Sequence, residues 1–150
     1  LWQPAGRRGF DAWGEPGTTA WFELHTTVLD EATEFYATVT GLVPHPMSGT
    51  PEFRYNQFAP RRGGADARFG AFEETSGGGQ AAGGADARPP AEWLVYFVTP
   101  SVDEATARAA SLGAEVRGEP TDIPFGRMAN LVDPFGAGFC LVEAGTGGNE

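Results

Sequence analysis

Two apolar, strand-like runs, Trp21–Thr26 and Trp93–Thr99, each lead into a stretch with helical spacing that stops at a glycine. In the first stretch Val28, Ala32, Phe35, Tyr36 and Val39 predict one apolar face, with Gly41 as the stop. In the second, Val102, Ala105, Ala109 and Leu112 predict the face and Gly113 the stop. Thr27-x-x-Asp30 and Ser101-x-x-Glu104 have the spacing of capping boxes, the first with Asp in place of Glu. Further strands are expected at Glu52–Phe58, Ala67–Phe72, Ala114–Arg117, Arg127–Val132 and Gly138–Glu143. Asp133-Pro134-Phe135-Gly136 is a turn sequence, because Pro presets one φ and Gly permits the exit, so the last two strands form a hairpin.

The two halves are copies of one plan. Asp30-Glu31-Ala32-Thr33 recurs as Asp103-Glu104-Ala105-Thr106, 73 positions later, with the same strand before it and a helix and strands after it. A duplicated strand–helix–strand unit follows. The predicted modules run over 18–77 and 92–145, joined by a flexible connector at 76–91 that is almost wholly Gly, Ala, Pro and polar residues. Residues 1–17 read as a linker or N-terminal extension, and 146–150 as a tail. The fold class expected is α+β.

Composition narrows the function. The 150 residues include 22 Gly and 12 Pro, a load that suits short strands and many turns rather than a helical bundle. Twenty acidic against ten basic side chains give a net charge of −10. That field repels phosphate backbones and anionic lipid, so neither nucleic acid nor a membrane is an expected partner. No apolar run approaches a membrane span. The single cysteine, Cys140, can make neither an internal disulfide nor a Cys-rich zinc site, which fits a reducing, cytoplasmic setting. The chain opens Leu1-Trp2-Gln3-Pro4 without an initiator Met, as a piece of a longer polypeptide would.

Trp21-Phe22-Glu23-Leu24-His25-Thr26 with Phe35-Tyr36 and Gly41-Leu42 resembles the first module of the vicinal oxygen chelate superfamily. That superfamily includes glyoxalase I, bleomycin-resistance proteins and extradiol dioxygenases. Trp93–Val98, the Leu112-Gly113 helix end and Asp133-Pro134-x-Gly136-Ala137-x-Phe139 resemble its second module. The resemblance implies two βαβββ modules in a half-barrel sheet with flanking helices, and a small organic molecule bound in the sheet cavity. Leu1-Trp2-Gln3-Pro4 is similar to the segment joining the halves of tandem glyoxalase-like proteins. By that likeness the chain is a second domain, whose partner is another glyoxalase-like domain or a second copy in a homodimer.

The family's metal-ligand positions fall on Trp21, Leu94 and Cys140, and this departure argues against a metal cofactor. Strand alternation puts Trp21, Glu23 and His25 on one face, so Glu23 and His25 are the only alternative ligands for a divalent ion. A third, Glu143, has the wrong parity to share a face with Cys140. Cys140 reads as a buried small hydrophobe rather than a nucleophile, and His45, between two prolines, as a solvated turn residue. Arg61-Arg62 reads as a hairpin tip, and Glu73 and Glu74 as surface carboxylates. Of the aromatics on or beside the strands (Trp21, Tyr55, Phe58, Phe72, Tyr96, Phe125), most are expected in ordinary core.

The expected ligand-binding set is therefore Trp21, Glu23, His25, Tyr96, Asn130 and Cys140. The leading expectation is a metal-free domain of the bleomycin-resistance type that binds a small molecule. Its rivals are a lyase or dioxygenase using a divalent metal on Glu23 and His25, and a non-catalytic structural half of a tandem protein.

Overall fold

The structure, a computed structural model, describes residues 11–50, 53–61, 69–73, 91–124 and 126–144. The chain forms two compact units, Trp21–Val95 and Leu1–Ala20 together with Tyr96–Glu150. The elements run β1(Thr19–Thr26), α1(Leu29–Thr40), β2(Val43–Thr50), β3(Phe53–Ala59), β4(Phe69–Glu73), β5(Glu92–Thr99), α2(Val102–Ser111), β6(Glu115–Val116), β7(Thr121–Ile123), β8(Gly126–Val132) and β9(Gly138–Ala144).

In the Trp21–Val95 unit β2 pairs antiparallel with β3, β3 antiparallel with β4, and β4 parallel with β1. In the other unit β8 pairs antiparallel with β6, β7 and β9, and β9 parallel with β5. The pairing plan is the same, with β6 and β7 together standing where the first module has the continuous β2. The fold is α+β, built from two strand–helix–strand modules whose helices both begin one residue before the repeated Asp-Glu-Ala-Thr.

Each helix covers one face of its own strands. In the Trp21–Val95 unit Leu24, Leu29, Phe58 and Ala71 form the core, with Ala32, Tyr36, Ala37 and Phe69 packed against it. In the other, Val102, Ala129 and Leu131 do so, supported by Ala109, Phe139 and Leu141.

Several sequence expectations change. The apolar face of α1 is not centred on Phe35 and Val39, which are 57% and 55% exposed. Ala32 and Tyr36 meet the sheet as expected, joined by Leu29 at helical spacing. Thr27-x-x-Asp30 is not a capping box: the N-cap is Val28, with no side-chain cap, and its N–H donates to Thr26 Oγ1 at 3.2 Å. The expected Ser101 cap is present, Glu104 N donating to Ser101 Oγ at 3.3 Å. Leu112 lies past the last turn of α2 and is exposed.

His45 belongs not to a turn but to β2, where it is exposed. Pro44 and Pro46 lie on the same strand, which is paired with β3 and has a register shift between Pro46 and Ser48; prolines are confined to such edges and bulges. Part of the expected 1–17 linker is tied down. Gly17 N donates to Val98 O, and Val98 N donates to Thr18 O, both at 2.9 Å.

Glu73 is not a free surface carboxylate, since Arg54 Nη1 donates to it at 2.8 Å and Arg54 Nη2 reaches Asp30. The Asp133 turn forms as expected, its carboxylate accepting from Phe135 N at 2.8 Å and Ala137 N at 2.9 Å. The 76–91 connector up to Pro90, the 146–150 tail, Arg62, Glu74 and Phe125 lie outside the described residues.

Candidate functional site

Successive side chains on β1 point to opposite faces, so Leu24 and Thr26 turn toward α1 while Trp21, Glu23 and His25 turn away. The strand partners follow the same parity. Glu23 is opposite Gly70 and His25 opposite Phe72 on β4, and Phe72 is in turn opposite Tyr55 on β3. The face of the Trp21–Val95 unit away from its helix thus brings together Trp21, Glu23, His25, Tyr55 and Phe72.

Their polar groups form one chain. Trp21 Nε1–H donates to Tyr55 Oη at 2.9 Å. The Tyr55 hydroxyl is hydrogen-bonded to the Glu23 carboxylate. Glu23 Oε1 lies 2.9 Å from His25 Nε2. The Glu23 and His25 side chains are only 12% and 15% exposed, so each carries its polar group into a poorly hydrated place and needs these partners. The His25 ring also meets Phe72, with centroids 5.4 Å apart and planes inclined at 59°. Burial first, and then the negative Glu23, push the Tyr55 hydroxyl far above its ordinary 10.0. It is a neutral donor at any physiological pH.

Gly70 makes this chain possible. A Cβ built there would collide with the Tyr55 hydroxyl and stand 3.1 Å from Trp21 Nε1. The absent side chain is the space in which the Tyr55–Trp21 bond forms.

The remaining expected residues form a second group in the other unit. Tyr96 and Cys140 are register partners on β5 and β9, and Cys140 and Asn130 on β9 and β8, so all three share one face. Cys140 is fully buried and its Sγ donates to Asn130 Oδ1 at 2.9 Å. A buried thiol that is itself a donor is not poised as a nucleophile. Glu143 is directed elsewhere, accepting from Val102 N at 3.0 Å at the start of α2.

Glu23 and His25 are adjacent but engage each other, and among the described residues no group of three or more His, Cys, Asp or Glu side chains could hold an ion. Zinc sites use at least three protein ligands.

Tyr55 and Gly70 were missed as site residues in the sequence. Tyr55 has an aromatic's share of signal, but only the pairing of β3 and β4 shows which strands bring it to Glu23.

The model of the glyoxalase-like domain matches residues 21–142. The chain belongs to the glyoxalase-like domain family. Among its relatives, anthracycline biosynthesis protein DnrV of Streptomyces peucetius is 33% identical over 143 residues, covering 95% of this chain and 47% of that protein. Putative glyoxylase CFP32 of Mycobacterium bovis is 35% identical over 144 residues, covering 95% of this chain and 50% of that protein. This glyoxalase-like chain therefore spans about half the length of the curated relatives it matches. Methylmalonyl-CoA epimerase of Streptomyces coelicolor shares the fold, with a TM-score of 0.57 at 19% identity over 91% of this chain and 100% of that one. The epimerase of Mycobacterium tuberculosis gives 0.52 at 17% identity, over 85% of this chain and 87% of that one. Among the described residues no helix is long and apolar enough to cross a membrane.

Proposed function

We propose that this glyoxalase-like domain binds a small organic molecule, without a metal, on the face that carries Trp21, Glu23, His25, Tyr55 and Phe72. The supporting observation is the hydrogen-bonded chain from Trp21 through Tyr55 and Glu23 to His25, set among aromatic rings on the side of the strands that α1 leaves uncovered. An aromatic lining with a few fixed polar groups is the usual make-up of a small-molecule site. In the other unit Tyr96, Asn130 and Cys140 share a face of their own.

The ligand class draws on the relatives named for anthracycline biosynthesis, which favours a flat, polycyclic, oxygenated compound. That this chain is one glyoxalase-like half of a longer tandem protein is part of the same proposal, and the length of the relatives leaves room for a second half. The lyase or dioxygenase alternative needs a third ligand beside Glu23 and His25.

Titration with an anthracycline aglycone, followed by tryptophan fluorescence, tests the binding reading. The expected result is saturable quenching by wild type and an affinity lower by roughly 1–3 kcal/mol in Trp21→Ala, from lost stacking area. Binding undiminished in Trp21→Ala moves the site elsewhere. Stoichiometric divalent metal that is lost from Glu23→Ala and His25→Ala would overturn the metal-free reading.

A further inference from the structure

Resting on the reading of this face as the binding site, we infer that Gln57 anchors the ligand there, and that the ligand carries an uncharged carbonyl with an N–H or O–H beside it on one edge of a flat body. Register places Gln57 on the same side of the strands as the hydrogen-bonded chain. His45, Gln57, Gly70 and Glu23 are successive partners across β2, β3, β4 and β1, so the four stand in one row on the helix-free side. Tyr55, Phe72 and His25 form the next row. Gly70 puts no side chain between Gln57 and Glu23, and the Tyr55 hydroxyl occupies the space over it, where it meets Trp21. A flat body laid against Trp21 and Tyr55 therefore reaches Gln57 with its edge.

The chemistry of that edge follows from which groups are already engaged. Trp21, Tyr55, Glu23 and His25 bond one another. Gln57 is only partly exposed, its strand is paired on both sides, and its side-chain amide bonds no other group among the described residues. A half-buried amide of this kind is completed by water or by a ligand. Its oxygen accepts and its NH2 donates, side by side in one plane. The complementary edge sets a donor next to an acceptor, as a carboxamide, a lactam or a hydroxy ketone does. A plain ketone or ester satisfies half of the amide, and a hydrocarbon edge none of it. The pairing is neutral on both sides, so it does not depend on the net charge of −10.

The test is calorimetric titration with two ligands of one shape, 2-naphthamide and 2-acetonaphthone, which differ in an NH2 against a methyl beside the same carbonyl. The amide should bind about tenfold more tightly, a difference of about 1.4 kcal/mol, and added salt should leave that ratio unchanged. Gln57→Met keeps the length of the side chain without its polar atoms, and should bind the two ligands alike. Gln57→Thr, with a residue suited to strands, repeats the comparison should the Met variant fold poorly. Equal binding of amide and ketone by wild type, both weakened in Trp21→Ala, overturns the inference and leaves the binding reading standing. An amide preference that survives in both Gln57 variants overturns it as well, because another group then reads the edge. Binding of neither ligand counts against both readings.

Discussion

Arg54 and Arg127 make the same contact in the two modules: each guanidinium bonds the Asp that opens the repeated Asp-Glu-Ala-Thr, Asp30 for one and Asp103 for the other. The sequence separation is 24 residues in both cases. Each arginine takes a second carboxylate, Glu73 in the first module and Asp122 in the second, and both guanidinium groups are held more firmly protonated by these bonds. The duplication is thus preserved in side-chain chemistry that ties the first turn of each helix to a strand. Both pairs are partly exposed to solvent. Arg54→Ala and Arg127→Ala should each lower the melting temperature modestly, with losses that shrink in high salt. Equal losses at low and high salt in thermal melts would show that packing of the arginine stem, and not charge, is what matters.

The copies part company at Thr33 and Thr106. Thr33 Oγ1 accepts from Asn56 Nδ2 at 2.9 Å, whereas Thr106 Oγ1 is buried with no partner among the described residues. The position matching Asn56 in the second module is Ala129, which is buried core and offers no side-chain donor. An unsatisfied buried hydroxyl costs roughly 1–3 kcal/mol. Thr106→Val should therefore raise the unfolding free energy by about 1 kcal/mol, and Thr33→Val should lower it. Urea unfolding of both variants checks the pair of signs.

Gly70→Ala should lose about 1–3 kcal/mol, the usual cost of overpacking, because the new methyl collides with the Tyr55 hydroxyl. Combining it with Tyr55→Phe, which deletes the oxygen that the methyl meets, should recover part of that loss. Strictly additive losses in denaturant melts would mean that the strain lies in the backbone of β4.

Stability above pH 10 should fall more steeply in wild type than in Tyr55→Phe. The folded protein holds the Tyr55 proton far more tightly than the unfolded chain, whose tyrosine titrates near 10.0. Its contribution is complete below that pH and is lost as pH rises beyond it, by about 1.4 kcal/mol per pH unit. Unfolding free energies measured at pH 9, 10 and 11 give the slopes, and identical slopes would place Tyr55 in contact with water.

Ser101→Ala removes the hydroxyl that caps α2 and should cost about 1 kcal/mol. Val28→Ala, at the matching position of α1, has no side-chain cap to lose and should not show that loss of a cap. Comparable helix fraying in both variants by amide hydrogen exchange would contradict the assignment.

Local pattern was enough for the duplicated module, the capped start of α2, the Asp133 turn and the shared face of Trp21, Glu23 and His25. Each depends on covalent geometry acting over a few residues: strand alternation, helix periodicity, a side chain reaching its own backbone. Local pattern placed Ala32 and Tyr36 on the buried side of α1 but added Phe35 and Val39, which have the right spacing and are exposed, and left out Leu29, which fits the strands below. It could not supply the bond from Trp21 to Tyr55, the link from Tyr55 to Glu23 or the need for glycine at position 70. These rest on β1 lying parallel to β4 and β4 antiparallel to β3, with Glu23 opposite Gly70 and Tyr55 opposite Phe72. Register between strands far apart in sequence is set by the packing of the whole unit, and a shift of one residue would turn every one of these side chains to the other face.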